Sequence, residues 1–177
     1  MMAFDYESLI ASIPDYPEPG VVFKDITPLL ADPEGFNALV NDLADRFSDK
    51  GVTKVVGAEA RGFMVGAPVA FKLGAGFVPA RKPGKLPREV RSQEYALEYG
   101  TSSLEMHVDA LVPGDKVLLI DDLAATGGTA IAQVKLVEAA GAEVVGMGFL
   151  LELAFLDPRG VISRATNAEI HSLVTIM

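Results

Sequence analysis

The chain has 177 residues, 50% of them apolar and 22% charged, with a formal net charge of -9 and no cysteine. Those values describe one folded domain with enough apolar matter for a core, and they exclude intrinsic disorder, disulfide frameworks, thiolate catalysis and zinc-ribbon chemistry. So acidic a chain is a poor partner for nucleic acid or an anionic membrane, and any anion it binds must be held by a local set of donors.

In chain order, the opening MMAFDYESLI has acidic residues and no basic stretch before an apolar run, so no secretory signal is expected. No stretch reaches the roughly 18 uncharged apolar residues that a membrane span needs. A cytoplasmic protein is the expectation. Amphipathic spacing predicts a short helix over residues 6–13, closed by Pro14, and Pro17, Pro19 and Gly20 force a turn into Val21, Val22 and Phe23. Asp32 and Pro33 start a helix as N-cap and first residue, with Phe36, Leu39, Val40, Leu43 and Phe47 at helical spacing and Gly51 as the stop. A short strand is predicted over 55–58, a helix over 62–73 and a strand over 77–80.

The character then changes: Arg81, Lys82, Lys85, Arg88 and Arg91 crowd a Pro- and Gly-containing stretch, which reads as a mobile basic loop. Residues 95–99 and 104–108 alternate apolar and polar residues as a hairpin would. A continuous apolar strand follows over 116–120, a helix over 130–140, a strand over 144–151 and a last one over 170–176. Short apolar strands alternating with three-turn helices predict an α/β fold, a mostly parallel sheet flanked by helices.

The densest chemistry lies where the strand 117–120 runs into Asp121 and Asp122, then Ala124, Ala125, Thr126, Gly127, Gly128 and Thr129 before a helix. In an open parallel sheet, ligands bind beyond the carboxyl ends of strands. Two glycines allow a tight turn whose N–H groups converge on one anion, the threonines add hydroxyl donors, and the helix N-terminus adds partial positive charge. No lysine follows the glycines, so this is not a Walker A loop, and the spacing is not that of a dinucleotide fingerprint. Two carboxylates beside a phosphate need a different target. Vicinal ribose hydroxyls are one, and a cationic anomeric carbon is another. A phosphate cradle next to diol acceptors describes a ribose 5-phosphate.

The run VLLIDDLAATGGT resembles the phosphoribosyl pyrophosphate (PRPP) motif of the type I phosphoribosyltransferases. The stretches DYPEPGVVFKDIT, GAEARGFMVG, RKPGKLPR and YALEYG, in order and at suitable spacing, resemble the adenine phosphoribosyltransferase branch of that family. Ala124 departs from the bulkier aliphatic residue more familiar at its position. The resemblance implies a single domain over residues 1–177, with a small N-terminal hood over 1–30 and a flexible lid over 82–100. It implies transfer of 5-phosphoribosyl from PRPP to adenine, giving AMP and pyrophosphate. In that reading Ala125, Thr126, Gly127, Gly128 and Thr129 hold the 5-phosphate and Asp121 and Asp122 address the ribose hydroxyls. Glu59, Ala60 and Arg61 form the pyrophosphate loop, Arg61 meeting the leaving group, and Arg81, Lys82 and Lys85 add positive charge. Val22, Phe23 and Lys24 receive adenine, with Phe23 stacking on the base. Glu98 manages the proton at the purine's imidazole edge. The lid, with Gly84 and Gly100 as hinges, closes to exclude water. Magnesium is expected to arrive bound to substrate, and a homodimer is expected. His107 and His171 are isolated and receive no role, and residues 155–177 carry no assigned chemistry.

Two other functions were open on sequence. A 6-oxopurine phosphoribosyltransferase needs a donor to O6, commonly a lysine after the PRPP motif, whereas Leu151, Glu152 and Leu153 follow the late strand here. A non-catalytic PRPP-sensing regulator would carry a nucleic-acid surface or lack the lid glutamate.

Overall fold

The computed structural model describes residues 4–96 and 100–177. A single 3-10 turn at Glu7–Leu9 leads into β1 (Ala11–Pro14), which pairs antiparallel with β2 (Val22–Asp25) as a separate two-stranded sheet. The helix expected over 6–13 is therefore corrected. Its apolar spacing serves tertiary contacts instead: Tyr6 is buried and its hydroxyl donates to Asp42 Oδ2 at 2.6 Å, while Ala11 to Pro14 find backbone partners across the hairpin.

After α1 (Thr27–Ala31), Asp32 accepts from the Gly35 N–H at 2.7 Å and caps α2 (Pro33–Arg46), with Pro33 in the first turn. There follow β3 (Lys54–Ala58), α3 (Arg61–Leu73) and β4 (Gly76–Ala80). The next pair, β5 (Val90–Ala96) and β6 (Thr101–His107), forms an antiparallel hairpin. The hairpin begins earlier than its alternation suggested, so Val90 and Arg91 belong to a strand rather than to the basic loop. Arg81 already bridges to Glu105. Then come β7 (Lys116–Ala124), α4 (Gly128–Ala139), β8 (Glu143–Leu153), a 3-10 turn, α5 (Pro158–Ile162) and β9 (Glu169–Ile176).

The central sheet runs β4-β3-β7-β8-β9 with every pairing parallel. Period-two alternation sorts its side chains to two cores. Val56, Val117, Leu119, Met147 and Phe149 pack with α4 and with Leu104 and Met106 of β6. Val55, Leu118, Ile120 and Leu150 pack with Leu39 and Leu43 of α2 and Val65 and Val69 of α3. From β3 the chain crosses through α3 to β4 on one side, whereas from β7 it crosses through α4 to β8 on the other. The connections leaving β3 and β7 therefore diverge, and a crevice opens at their carboxyl ends, as at the switch point of other open α/β sheets.

Candidate active site

That crevice is a cleft of about 240 Å³. Glu59, Ala60 and Arg61 come to it from the end of β3, Asp121 and Asp122 from β7, and Ala125, Thr126, Gly127 and Thr129 from the following loop. Lys82 closes one side. Tyr95 of the hairpin and Leu104 and Phe149 of the core complete the walls.

β7 is longer than its apolar run because Asp121 stays in the ladder opposite Phe149 and Ala124 opposite Glu152. The turn that follows rests on Gly127, at φ 84, the N-cap of α4. No side chain caps that helix, so the free N–H groups of its first turn remain available to an anion. Gly128 does not line the cleft. A Cβ there would lie 3.1 Å from Ala96 O and 3.3 Å from the Tyr95 ring, so its missing side chain admits the hairpin.

Asp122 is 5% exposed, and its Oδ2 lies 3.0 Å from Arg61 Nε. The alignment is not that of a hydrogen bond, and this oxygen has no hydrogen-bond partner among the described residues, so the contact is Coulombic. Asp121 Oδ1 accepts from the Asp122 N–H at 2.9 Å and packs against Gly62, where a Cβ would lie 2.9 Å from it. Burial first, and the neighbouring Asp122 second, push the Asp121 carboxyl well above the usual carboxylate range. The folded protein thus holds a proton on Asp121 at pH values where the unfolded chain has lost it, and stability falls as pH rises between the two pKa values. Asp121→Asn is expected to remove that fall. Chemical denaturation at several pH values from about 4 upward checks it: the variant should gain on the parent as pH rises, and a constant difference would refute the assignment.

Arg81 Nε donates to Glu59 Oε2 at 2.6 Å, and its Cζ lies 5.9 Å from the Phe63 ring centroid. Its Nη1 reaches Lys85 O at 3.4 Å. Arg81 and Lys85 thus stand behind the wall made by Glu59, and neither lines the cleft. On the hood side, the Arg61 Cζ lies 5.3 Å from the Phe23 ring centroid, and Tyr16 meets Phe23 edge-on at 5.3 Å. Ile13, Tyr16, Phe23, Asp25, Thr27 and Arg61 line an adjoining hollow of about 360 Å³. Asp25 accepts from the Thr27 N–H and hydroxyl, both at 2.9 Å, which holds its carboxyl below the ordinary value. Of the other hood residues named from sequence, Val22 is 54% exposed outside this hollow. Lys24 turns its ammonium to Ser12 Oγ at 2.7 Å and lines a different groove. Glu98 lies outside the described residues. Gly84 and Gly100 both have positive φ, 78 and 82.

Sequence reasoning did not single out Tyr16, Asp25 or Thr27 at the hood hollow, nor Tyr95, Leu104 or Phe149 at the cleft. Tyr16, Asp25 and Thr27 do fall inside the quoted hood motif and Tyr95 opens the quoted YALEYG, which was the available signal. Leu104 and Phe149 look like any core residue.

A switch-point crevice holding an uncapped helix N-terminus, two acids and an arginine is what a sugar-phosphate transferase requires. The model of the phosphoribosyl transferase domain matches residues 30–155, and the chain belongs to that family. Its relatives point to one member of it. Adenine phosphoribosyltransferase of Aeromonas salmonicida is 58% identical over 150 residues, covering 85% of this chain and 83% of that protein. The crystal structure of adenine phosphoribosyltransferase from Thermoanaerobacter pseudethanolicus superposes with a TM-score of 0.91 at 48% identity, covering 97% of this chain and 98% of that one. The Giardia lamblia enzyme in complex with 9-deazaadenine does so with a TM-score of 0.93 at 37% identity, covering 100% and 99%.

Proposed function

We propose that the cleft takes PRPP and the hood hollow takes adenine, the two ligands meeting at Arg61. The enzyme transfers the 5-phosphoribosyl group from PRPP to adenine, giving AMP and pyrophosphate, a purine salvage reaction. The observation that carries this assignment of sites is the single arginine shared by a phosphate-and-diol cleft and an aromatic hollow.

The loop from Ala125 to Thr129 binds the 5-phosphate through backbone N–H groups and threonine hydroxyls. Asp121 and Asp122 accept from the ribose hydroxyls and sit where positive charge develops as the C1–O bond breaks. Glu59 and Ala60 shape the pyrophosphate loop. Arg61 and Lys82 neutralise the leaving pyrophosphate, and Arg81 supports it through Glu59. Phe23 supplies a face for the base, with Tyr16 at its edge. Glu98 keeps the role the family motif implies, handling the proton as the purine nitrogen attacks. The N-terminal hood over residues 1–30 and the lid over 82–100 are read as parts of one domain.

Among the described residues no group of three or more His, Cys, Asp or Glu could hold a metal ion. Magnesium arriving with the substrate belongs to the same proposal: the paired carboxylates of Asp121 and Asp122 at the cleft would hold the ribose end of a magnesium-bound substrate. When bound, the ion supplies charge neutralisation at the pyrophosphate oxygens. A homodimer belongs to the same proposal, supported by Met64 and Phe71, 43% and 90% exposed on α3. So does a cytoplasmic location, with no cysteine in the chain and no helix among the described residues long and apolar enough to cross a membrane.

Incubation with PRPP, magnesium and each of adenine, hypoxanthine and guanine tests the reading. Adenine should yield AMP and pyrophosphate, and chelation of magnesium should suppress the yield. No pyrophosphate release with adenine would overturn it.

A further inference from the structure

The segment after β8 carries no chemistry legible in sequence, yet it touches the phosphate loop. Glu152, one residue from the end of β8, is 3% exposed. Arg159 grips it with a fork: Nε lies 2.7 and 3.0 Å from the two carboxylate oxygens, and Nη2 donates to Oε2 at 2.7 Å. The Ser172 hydroxyl donates to the same Oε2 at 2.7 Å, and Arg159 Nη1 donates to Ile170 O at 2.9 Å. Burial alone would raise the Glu152 carboxyl, but the donors from Arg159 and Ser172 outweigh it and hold it below its ordinary value. One guanidinium therefore ties the end of β8, the start of α5 and the strand β9 together.

The other side of α5 faces the ligand loop. A Cβ on Gly127 would lie 3.2 Å from Ile162 Cγ1, 3.2 Å from Val161 Cγ1 and 3.3 Å from Pro158 O. Ile162 is wholly buried. Glu152 is also the ladder partner of Ala124, the last β7 residue before the loop. The loop is thus seated between two structures that the same ion pair controls, its own strand end and α5. An arginine fork fixes direction as well as distance, which a lysine cannot do.

We propose that Glu152 and Arg159 are positioning residues for the 5-phosphate loop, acting through α5 and never touching substrate. This deepens the PRPP assignment and rests on it. Because the ion pair lies behind the phosphate end of the cleft, its loss should weaken phosphoribosyl ligands and spare adenine. A merely structural pair would weaken both alike.

The test is a kinetic and binding split on Arg159→Ala, Arg159→Lys and Ser172→Ala. For Arg159→Ala, KM for PRPP and Kd for ribose 5-phosphate should rise about tenfold or more, while kcat and KM for adenine move less than about threefold. Arg159→Lys, which keeps the charge but loses the fork, should fall between Arg159→Ala and the parent. Ser172→Ala, which removes one hydrogen bond, should shift PRPP alone by about twofold to threefold. Unchanged PRPP and ribose 5-phosphate affinities, or equal losses for PRPP and adenine, would overturn the proposal. If Arg159→Ala does not fold, the same two criteria applied to the other variants decide. AMP formation by the parent is the control: its absence would bring down the functional assignment, whereas the split among variants judges the positioning role.

Discussion

Arg61→Ala is expected to lower kcat/KM for AMP formation by about 10²- to 10³-fold, the size of effect seen when a donor to developing negative charge is removed. Two consequences combine. The departing pyrophosphate loses a cation fixed at the N-terminus of α3, and Asp122, 5% exposed, loses the charge 3.0 Å from its Oδ2. A buried carboxylate left without a counter-charge repels the substrate's phosphates, which opposes transfer. Because the same guanidinium lies over Phe23, the adenine side should suffer as well, so KM for both substrates should rise along with the fall in kcat. Arg61→Lys should recover part of the rate through charge but little of the contact with Phe23. Steady-state kinetics with each substrate varied in turn checks this, and a loss below about fivefold would remove Arg61 from its place at the leaving group.

Gly127→Ala should have the next largest effect, and it acts through the backbone. At φ 84 a residue with a Cβ is strained by roughly 1–2 kcal/mol. The new methyl also needs space held by Ile162 and Val161, each 3.2 Å away, and Ile162 is wholly buried. Together these predict a loss of about 2–4 kcal/mol in stability if the loop keeps its form. If the loop shifts instead, part of the strain is relieved and the N–H groups no longer converge, raising KM for PRPP by about tenfold or more. Denaturant unfolding with and without ribose 5-phosphate separates the two: a shifted loop loses the ligand's stabilisation, a strained one retains it. Unchanged stability and unchanged PRPP affinity together would show that the loop does not need a left-handed residue there.

Much of the central sheet could be read from sequence because its strands are continuous apolar runs and α2 and α3 are long enough to show a period. The strand–loop–helix segment that lines the cleft was equally legible, since strand, acids, glycines and helix start are contiguous. Legibility failed where structure is made by pairing at a distance. Residues 6–13 have a helix-like spacing, but Tyr6 reaches Asp42 and Ala11 to Pro14 take partners from Val22 to Asp25. β7 outran its apolar stretch because Asp121 and Asp122 are strand residues whose carboxylates serve the cleft, and polarity hid their backbone role. The hood hollow draws on Tyr16, Phe23 and Arg61, which no local pattern connects. The fork between Glu152 and Arg159 reads in sequence as two ordinary charges, and only the fold shows that one of them is buried. α1 and α5 are each five residues long, too short for periodicity to register.

Arg61 in the cleft and Arg81 behind its wall already lean on carboxylates of the protein itself, Arg61 on Asp122 and Arg81 on Glu59. Their headgroups are therefore held in place by folding, Arg81 through a directed hydrogen bond and Arg61 through Coulombic attraction, before any substrate arrives. A solvent shell would have to reorient as negative charge moves onto the leaving group, whereas tethered cations need little rearrangement. The two ion pairs, which taken alone would count as modest contributions to stability, act in the reaction as a reduction in reorganisation energy.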